Sequence, residues 1–351
     1  MRRWFWRLVQ FGLFVALAAA VTFAAWTWWL LHQPYRNYEG TRIVEIRSGQ
    51  GAGEILDQLS AAGILADARL ARAYLIYWLG DPPLLAGEYR FEEPLNTPEV
   101  LAKLTRGEIV SYPVTLIEGL TLEEIADSLA RQGFGDPDRL RREMQRVELI
   151  ADLDPAAPDL EGYLYPDTYS FARGTSEEEI VATLVRTFRR RFRDEVEPVW
   201  AGGGERSVRE LVTLASIVEK EALLDEERAL IAGVYAHRLR RGIALCADPT
   251  VIFALKKMGT WDGNLRRPDL KLDSPYNTYV YAGLPPGPIC SPALASLIAA
   301  AAPADTPYLY FVSRNDGTHV FARTLAEHNR NVERWQRQYW RRRWAEQRRG
   351  N

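Results

Sequence analysis

Carboxylates, tyrosines and an asparagine gather in four short stretches of this 351-residue chain. They are Glu161-Gly162-Tyr163-Leu164-Tyr165-Pro166-Asp167-Thr168-Tyr169, Glu219-Lys220-Glu221, Asp248-Pro249-Thr250 and Tyr276-Asn277-Thr278-Tyr279. The mixture suits a carbohydrate: aromatic faces stack on sugar rings, carboxylates and amides hydrogen-bond hydroxyls, and one carboxyl group moves a proton. Tyr-rich stretches also serve as ordinary packing, so these residue types by themselves do not choose a role.

Other chemistries lack their residues. No Ser nucleophile elbow, Walker loop or GxGxxG follows an expected strand. The four histidines (His32, His237, His319, His328) show no HExxH spacing, and Cys246 and Cys290 stand far apart. Neither a zinc site nor a disulfide framework is expected, and the two cysteines are either free thiols or one bridge. No metal or other cofactor is expected. The composition is that of a globular protein, 47% hydrophobic and 26% charged, and a formal net charge of -2 gives no basic field for nucleic acid.

Glu219 and Glu221 fall on an expected helix over 208–222. At about 100° per residue, its apolar face (Leu211, Val212, Leu214, Ala215, Val218, Ala222) has one of these carboxylates at each edge. Periodicity therefore makes both half-buried and does not decide between them. Helices are also expected over 71–79, 121–131, 136–150, 176–195 and 226–241. Thr97 is read as the cap of another, with Pro98 at its first position and a stop at Gly107. Gly202-Gly203-Gly204 reads as a joint, 248–292 as a loop-rich stretch, and the remainder as a helix, two strands and a basic helical end with Arg337, Arg341, Arg342, Arg343, Arg348 and Arg349.

A repeat underlies the first part of the chain. Val44-Glu45-Ile46, Gly49, Glu54-Ile55, Asp57, Leu59 and Gly63 match Val114-Thr115-Leu116, Gly119, Glu124-Ile125, Asp127, Leu129 and Gly133, every pair offset by 114 − 44 = 70. Each copy reads as strand, Gly turn, amphipathic helix and Gly stop.

The first residues set the compartment. Arg2, Arg3 and Arg7 precede an uncharged run from Phe11 to Leu31, long enough to cross a hydrocarbon core of ~30 Å as a helix. Arg on the near side keeps the N-terminus cytoplasmic. Trp4 and Trp6 suit one interface, and Trp26, Trp28 and Trp29 the other. A cleaved signal peptide is the rival, since Ala16-Leu17-Ala18 has the small-x-small form. The apolar run continues well past that site, which favours an anchor.

Six ordered stretches make the chain resemble the endolytic murein transglycosylase (MltG, YceG-like) family. They are EGYLYPDTY (161–169), LASIVEKE (214–221), DPTV (248–251), SPYNTY (274–279), GLPPG (283–287) and TPYLYFV (306–312). The resemblance implies an α+β fold with an N-terminal anchor (1–34), a small LysM-like α/β subdomain (35–110) and a larger mixed α/β catalytic domain (111–345). It implies cleavage of the MurNAc-GlcNAc β-1,4 bond with formation of a 1,6-anhydroMurNAc end, terminating nascent glycan strands, with Glu221 as the catalytic acid. Glu219, Glu161, Tyr163, Asp167, Asp248, Tyr276, Asn277 and Tyr279 are the residues expected at the substrate. The implied partners are peptidoglycan glycan strands, peptidoglycan synthases and the inner membrane that the chain crosses once, its catalytic domain outside. A non-catalytic glycan-binding scaffold and a muramidase leaving reducing ends are the alternatives. The chain departs from the family pattern at His237, where Asn is usual, and at Cys246 and Ala247, where Gln and a small hydroxyl residue are usual.

The N-terminal charge pattern generates a test. A reporter fused after residue 351 is expected to be active only outside the cytoplasm; cytoplasmic activity would reject the orientation and, with it, access to peptidoglycan.

Overall fold

The computed structural model describes residues 2–200, 206–341 and 343; the Gly202-Gly203-Gly204 joint and Arg342, Arg348 and Arg349 of the basic end lie outside the described residues. The chain divides into two compact units, Met1–Tyr112 with Ser170–Gly174, and Pro113–Tyr169 with Thr175–Asn351. Among the described residues, helices and three two-stranded sheets give the α+β class expected.

The first unit begins with α1 (Arg2–Leu31), of which Trp4–Leu31 is long and apolar enough to cross a membrane. β1 (Arg42–Ile46), α2 (Ala52–Ala61), α3 (Ala68–Tyr77), β2 (Gly87–Phe91) and α4 (Thr97–Arg106) follow. β1 pairs antiparallel with β2, Arg42 opposite Phe91 and Ile46 opposite Gly87. Alternate strand residues Val44, Ile46, Tyr89 and Phe91 point inward and meet Leu56, Leu59, Leu75 and Leu101 from the helices. The cap of α4 is Asn96, one residue before the Thr97 read from the sequence: its side chain and that of Glu99 form a reciprocal capping box. Thr97 is the first helical residue and Pro98 the second.

The second unit carries β3 (Ser111–Thr115) onward, with α5 (Leu122–Arg131), α6 (Pro137–Glu143), β4 (Thr168–Ala172) and α7 (Glu177–Arg191). β3 pairs with β4, and the division between the units falls within these two strands. The helix expected to run through 136–150 stops at Glu143 and resumes only as a 3-10 turn, Val147–Leu149. Arg146 leaves the helical region at ψ 76, and its guanidinium gathers Glu143, Glu148 and Glu178.

The repeat is present in the backbone. β1-turn-α2 and β3-turn-α5 share their element order, and the paired turn glycines Gly49 (φ 87) and Gly119 (φ 75) both take the left-handed conformation that L side chains avoid. The helix ends match hydrogen bond for hydrogen bond. Ala62 N–H donates to Gln58 O and Ile64 N–H to Leu59 O; Gln132 N–H donates to Ser128 O and Phe134 N–H to Leu129 O. All are offset by 70. Only the second copy has a side-chain cap, because Thr121 stands where the first has Gly51.

The centre of the second unit is α8 (Val208–Glu221), started by a Ser207–Glu210 capping box. Its residues Leu211 to Glu219 are all buried, so it is a core helix rather than one with a single apolar face and half-buried edges, as periodicity suggested. It packs against α9 (Asp225–Arg240) and α11 (Leu294–Ala301). Between them in sequence lies α10 (Asp248–Lys257), a helix where a loop was expected. Pro249 in its first turn misled that reading: a first-turn N–H has no intrahelical partner, so proline there costs nothing. Behind it Val251, Ala254 and Leu255 are buried at helical spacing. β5 (Tyr310–Ser313) and β6 (His319–Ala322) form an antiparallel hairpin, followed by α12 (Leu325–Val332).

Gly233 lets α9 meet the chain before β5. A Cβ at this position would stand 2.2 Å from Ala304 O, a backbone atom fixed by the Ala304 N–H bond to Ala229 O. Gly233→Ala should therefore destabilise the fold by about 1–3 kcal/mol through overpacking. Thermal unfolding would show a clearly lowered midpoint; an unchanged one would mean that the 303–306 segment is free to retreat.

Candidate active site

Glu221 is the last residue of α8, where the core helix reaches a cleft of about 480 Å³. Tyr235, reaching over from α9, donates its phenolic O–H to Glu221 Oε1 at 3.0 Å. Asp248, in the first turn of α10, and Tyr279 line the same cleft, and Tyr279 donates to Asp248 Oδ1 at 2.5 Å. Among the described residues lining it, the carboxyl groups are those of Glu221 and Asp248.

Burial raises the Glu221 carboxyl from the usual 4.5 to about 7; the Tyr235 hydrogen bond pulls it down, and the negative charge of Asp248 pushes it up. Its place at a helix C-terminus acts in the same direction as Asp248, since carbonyl ends disfavour a negative charge. Asp248 has the opposite setting, a helix N-terminus. The two carboxylates thus stand on helix ends of opposite polarity. A carboxyl lifted to about 7 keeps its proton to a higher pH than an ordinary glutamate, and the protonated state is the one a general acid needs.

Aromatic residues floor the cleft. Phe311 meets Tyr235 edge-to-face at 5.6 Å and His319 at 5.4 Å, and Tyr310 stacks on His328 at 5.2 Å. His319 is itself held by Glu227 at 2.6 Å. Cys246 lines the cleft with φ 49, a left-handed backbone that a non-glycine side chain adopts under strain. Its N–H donates to Thr278 O and that of Ala247 to Thr278 Oγ1, so the backbone at these two positions ties the start of α10 to the Tyr276–Tyr279 turn. His237 is engaged away from Glu221, its Nδ1 3.1 Å from Tyr308 O. Both cysteines are free thiols.

Of the residues expected at the substrate, the structure brings Asp248 and Tyr279 to Glu221. The others lie elsewhere. Glu219 is buried, ion-paired to Arg228 at 3.2 Å and accepting the Ala293 N–H at 2.9 Å. Tyr163 sits in the core, donating to Asp154 at 2.7 Å, with its ring edge-to-face on Phe188. Asn277 is fully buried and organises its own turn by donating to Leu270 O and Leu272 O. Asp167 accepts the Thr168 N–H at 2.7 Å and faces Arg191 at 3.7 Å.

Glu161 lines a separate cleft of about 530 Å³ with Asp159, Phe253, Lys256 and Lys257. There it accepts the Leu122 N–H at the start of α5, and burial lifts its carboxyl to about 8. Tyr276 packs on Phe253 at 4.9 Å, with Lys257 over its ring. Sequence reasoning missed Tyr235, Tyr310, Phe311, His319 and His328. The TPYLYFV stretch holds two of them and was the available signal; Tyr235, in the middle of a helix, gave none.

Two substitutions should move the Glu221 carboxyl in opposite directions. Tyr235→Phe removes a hydrogen bond to its charged form and should raise its pKa above about 7. Asp248→Asn removes a neighbouring negative charge and should lower it. Carbon-13 NMR titration of labelled glutamate carboxyls reads both shifts; no shift in either variant would show that burial by itself sets the value.

The residues at 44–334 match the model of the YceG-like family. The chain is 30% identical over 325 residues to the endolytic murein transglycosylase of Bacillus subtilis strain 168, covering 87% of this chain and 88% of that one. It is 29% identical over 319 residues to the protein of the same name from Streptococcus pneumoniae serotype 2, covering 82% of this chain but only 57% of that longer relative. The crystal structure of a YceG-like protein from Listeria monocytogenes superposes with a TM-score of 0.56 at 32% identity, over 84% of this chain and 99% of that one. With its motifs in order and most of its length matched, the chain belongs to the YceG-like family.

Proposed function

We propose that this protein is an endolytic murein transglycosylase, and that Glu221 carries the chemistry. The observation that supports this most is a carboxyl lifted to about 7 at the wall of an open, aromatic-floored cleft. Protonated Glu221 gives its proton to the glycosidic oxygen between MurNAc and GlcNAc as the bond from MurNAc C1 breaks. The ring becomes oxocarbenium-like. The resulting carboxylate takes the proton of the MurNAc C6 hydroxyl, whose oxygen closes on C1. The product is a 1,6-anhydro end, Glu221 is protonated again, and no water is consumed. A glycosidase ordinarily uses a second carboxyl to attack or to activate water. Here an internal hydroxyl, favoured by proximity, takes that part. Tyr235 occupies Oε1, which leaves Oε2 as the atom that passes the proton.

A muramidase is the second reading, and Asp248 in the same cleft is what favours it. Asp248 is already bound by Tyr279. In the lyase reading its task is to keep Glu221 protonated.

The surroundings follow from the same proposal. α1 is a single-pass inner-membrane anchor with Arg2, Arg3 and Arg7 in the cytoplasm and the catalytic domain outside. The β1-α2-α3-β2 order of the first unit supports a LysM-like glycan-binding role. Peptidoglycan synthases are the partners expected of an enzyme that terminates nascent strands.

Glu221→Gln keeps the shape of the side chain and removes the transferable proton. Release of anhydro-ended fragments from purified glycan strands should fall by at least the ~10²–10⁴-fold of general acid-base catalysis, with the unfolding midpoint little changed. Glu219→Gln should show the reverse pattern. It removes one of the two carboxylates paired with buried Arg228, Asp225 remaining at 2.8 Å, a loss of about 1–3 kcal/mol, while the folded fraction still cleaves. Near-normal cleavage by Glu221→Gln would place the acid elsewhere.

A further inference from the structure

The tip of α3 is apolar, aromatic and open to solvent. Ile76, Tyr77, Trp78 and Leu79 are 38%, 84%, 65% and 40% exposed, although the opposite face of the helix buries Ala71 and Leu75 in the core. The tip is also joined to α1. Trp78 lies 5.2 Å, centroid to centroid, from Trp28 and stacks on Tyr74 at 6.2 Å, while His32 stacks on Trp28 at 4.1 Å and meets the edge of Tyr74 at 6.4 Å.

This contact fixes the depth of the tip. Trp4–Leu31 is 28 residues, which at 1.5 Å per residue makes about 42 Å of helix, the thickness of a bilayer with its headgroups. Trp28 is one turn from the end, in the layer where Trp and Tyr partition because one part of the ring is apolar and one edge can hydrogen-bond. A side chain packed on Trp28 must share that layer. We propose that the α3 tip is a second membrane contact, seated in the headgroup region of the outer leaflet beside the spanning helix, so that the first unit lies against the lipid surface instead of swinging from a single anchor. The nearby cation Arg72 is paired with Asp81 at 3.0 Å. The contact therefore rests on aromatic partitioning rather than on anionic headgroups, and zwitterionic lipid suffices. The inference depends on the reading of α1 as a membrane span.

The test uses the full chain in phosphatidylcholine vesicles with Cys246→Ser removing the accessible thiol. A nitroxide is placed at Ala19→Cys, inside α1, or at Leu79→Cys, on the tip. Collisions with lipid-soluble oxygen are compared with collisions with a water-soluble nickel chelate. Oxygen should exceed the chelate at both positions, with more chelate access at 79 than at 19. Adding Tyr77→Ser and Trp78→Ser should reverse the ratio at 79 and leave 19 unchanged. A chelate-dominated label at 79 beside an oxygen-dominated one at 19 overturns the second contact but not the anchor. A chelate-dominated label at 19 overturns both. A label at 79 that stays in lipid after the double substitution overturns the aromatic origin proposed for the contact.

Discussion

A carboxyl group that is to hold a proton near neutral pH, as proposed for Glu221, has to be shielded from water, and Glu221 is the last residue of the buried core helix α8. α8 is enclosed from Leu211 to Glu219, so the chain cannot present residue 221 at the cleft without also carrying it through the core. Burial is the largest cause of its raised pKa. The rest of the second unit can be read as the means of holding that helix. α9 and α11 pack on it, Gly233 lets the chain before β5 close on α9, and the Glu219–Arg228 pair with the Ala293 N–H locks its last turn to α11's start. Glu219 and Glu221 are two residues apart and have opposite fates. One charge is neutralised inside the fold, and the other is suppressed at the cleft.

Holding Glu221 in this state works against stability. Its pKa is about 7 in the fold and near 4.5 in the unfolded chain. The folded state therefore binds the proton more tightly, and the contribution of this group to stability is full below pH 4.5 and is lost as pH rises through about 7. Tyr235 offsets part of that loss by hydrogen-bonding the charged form. Cys246, strained at φ 49 beside Asp248, is a second local concession at the cleft. Both belong to a site where reactivity and the lowest free energy ask for different arrangements.

Local patterns in the sequence were legible where they are set by neighbours a few residues apart. The 70-residue repeat could be read from its glycines and apolar spacing because each copy makes its own turn and helix stop, and the matched bonds Ile64 to Leu59 and Phe134 to Leu129 are local. α10 was misread for a local reason as well: Pro249 stands in its first turn, and proline in a first helical turn resembles proline in a loop. The burial of α8 was not legible, because it depends on α9 and α11, which no helical wheel contains. The site shows the same limit. EGYLYPDTY looked like one constellation, yet Glu161 faces a cleft of its own, Tyr163 is in the core and Asp167 turns to Arg191. Tyr235 and Phe311 come to Glu221 through the packing of α9 on the hairpin, which residue types could not announce. Family resemblance selected Glu221 over Glu219 where periodicity could not, and the ion pair at Glu219 supplies a physical reason for that choice.

In the proposed mechanism one carboxyl suffices because the substrate's own hydroxyl replaces water. Glycan strands digested in water enriched in oxygen-18 test this directly, with the new ends read by mass spectrometry. Intramolecular closure on C1 predicts MurNAc ends 18 mass units lighter than reducing ends and carrying no oxygen-18, since no water enters. Reducing ends in place of anhydro ends would mean that water is the nucleophile and that the mechanism proposed for Glu221 is wrong.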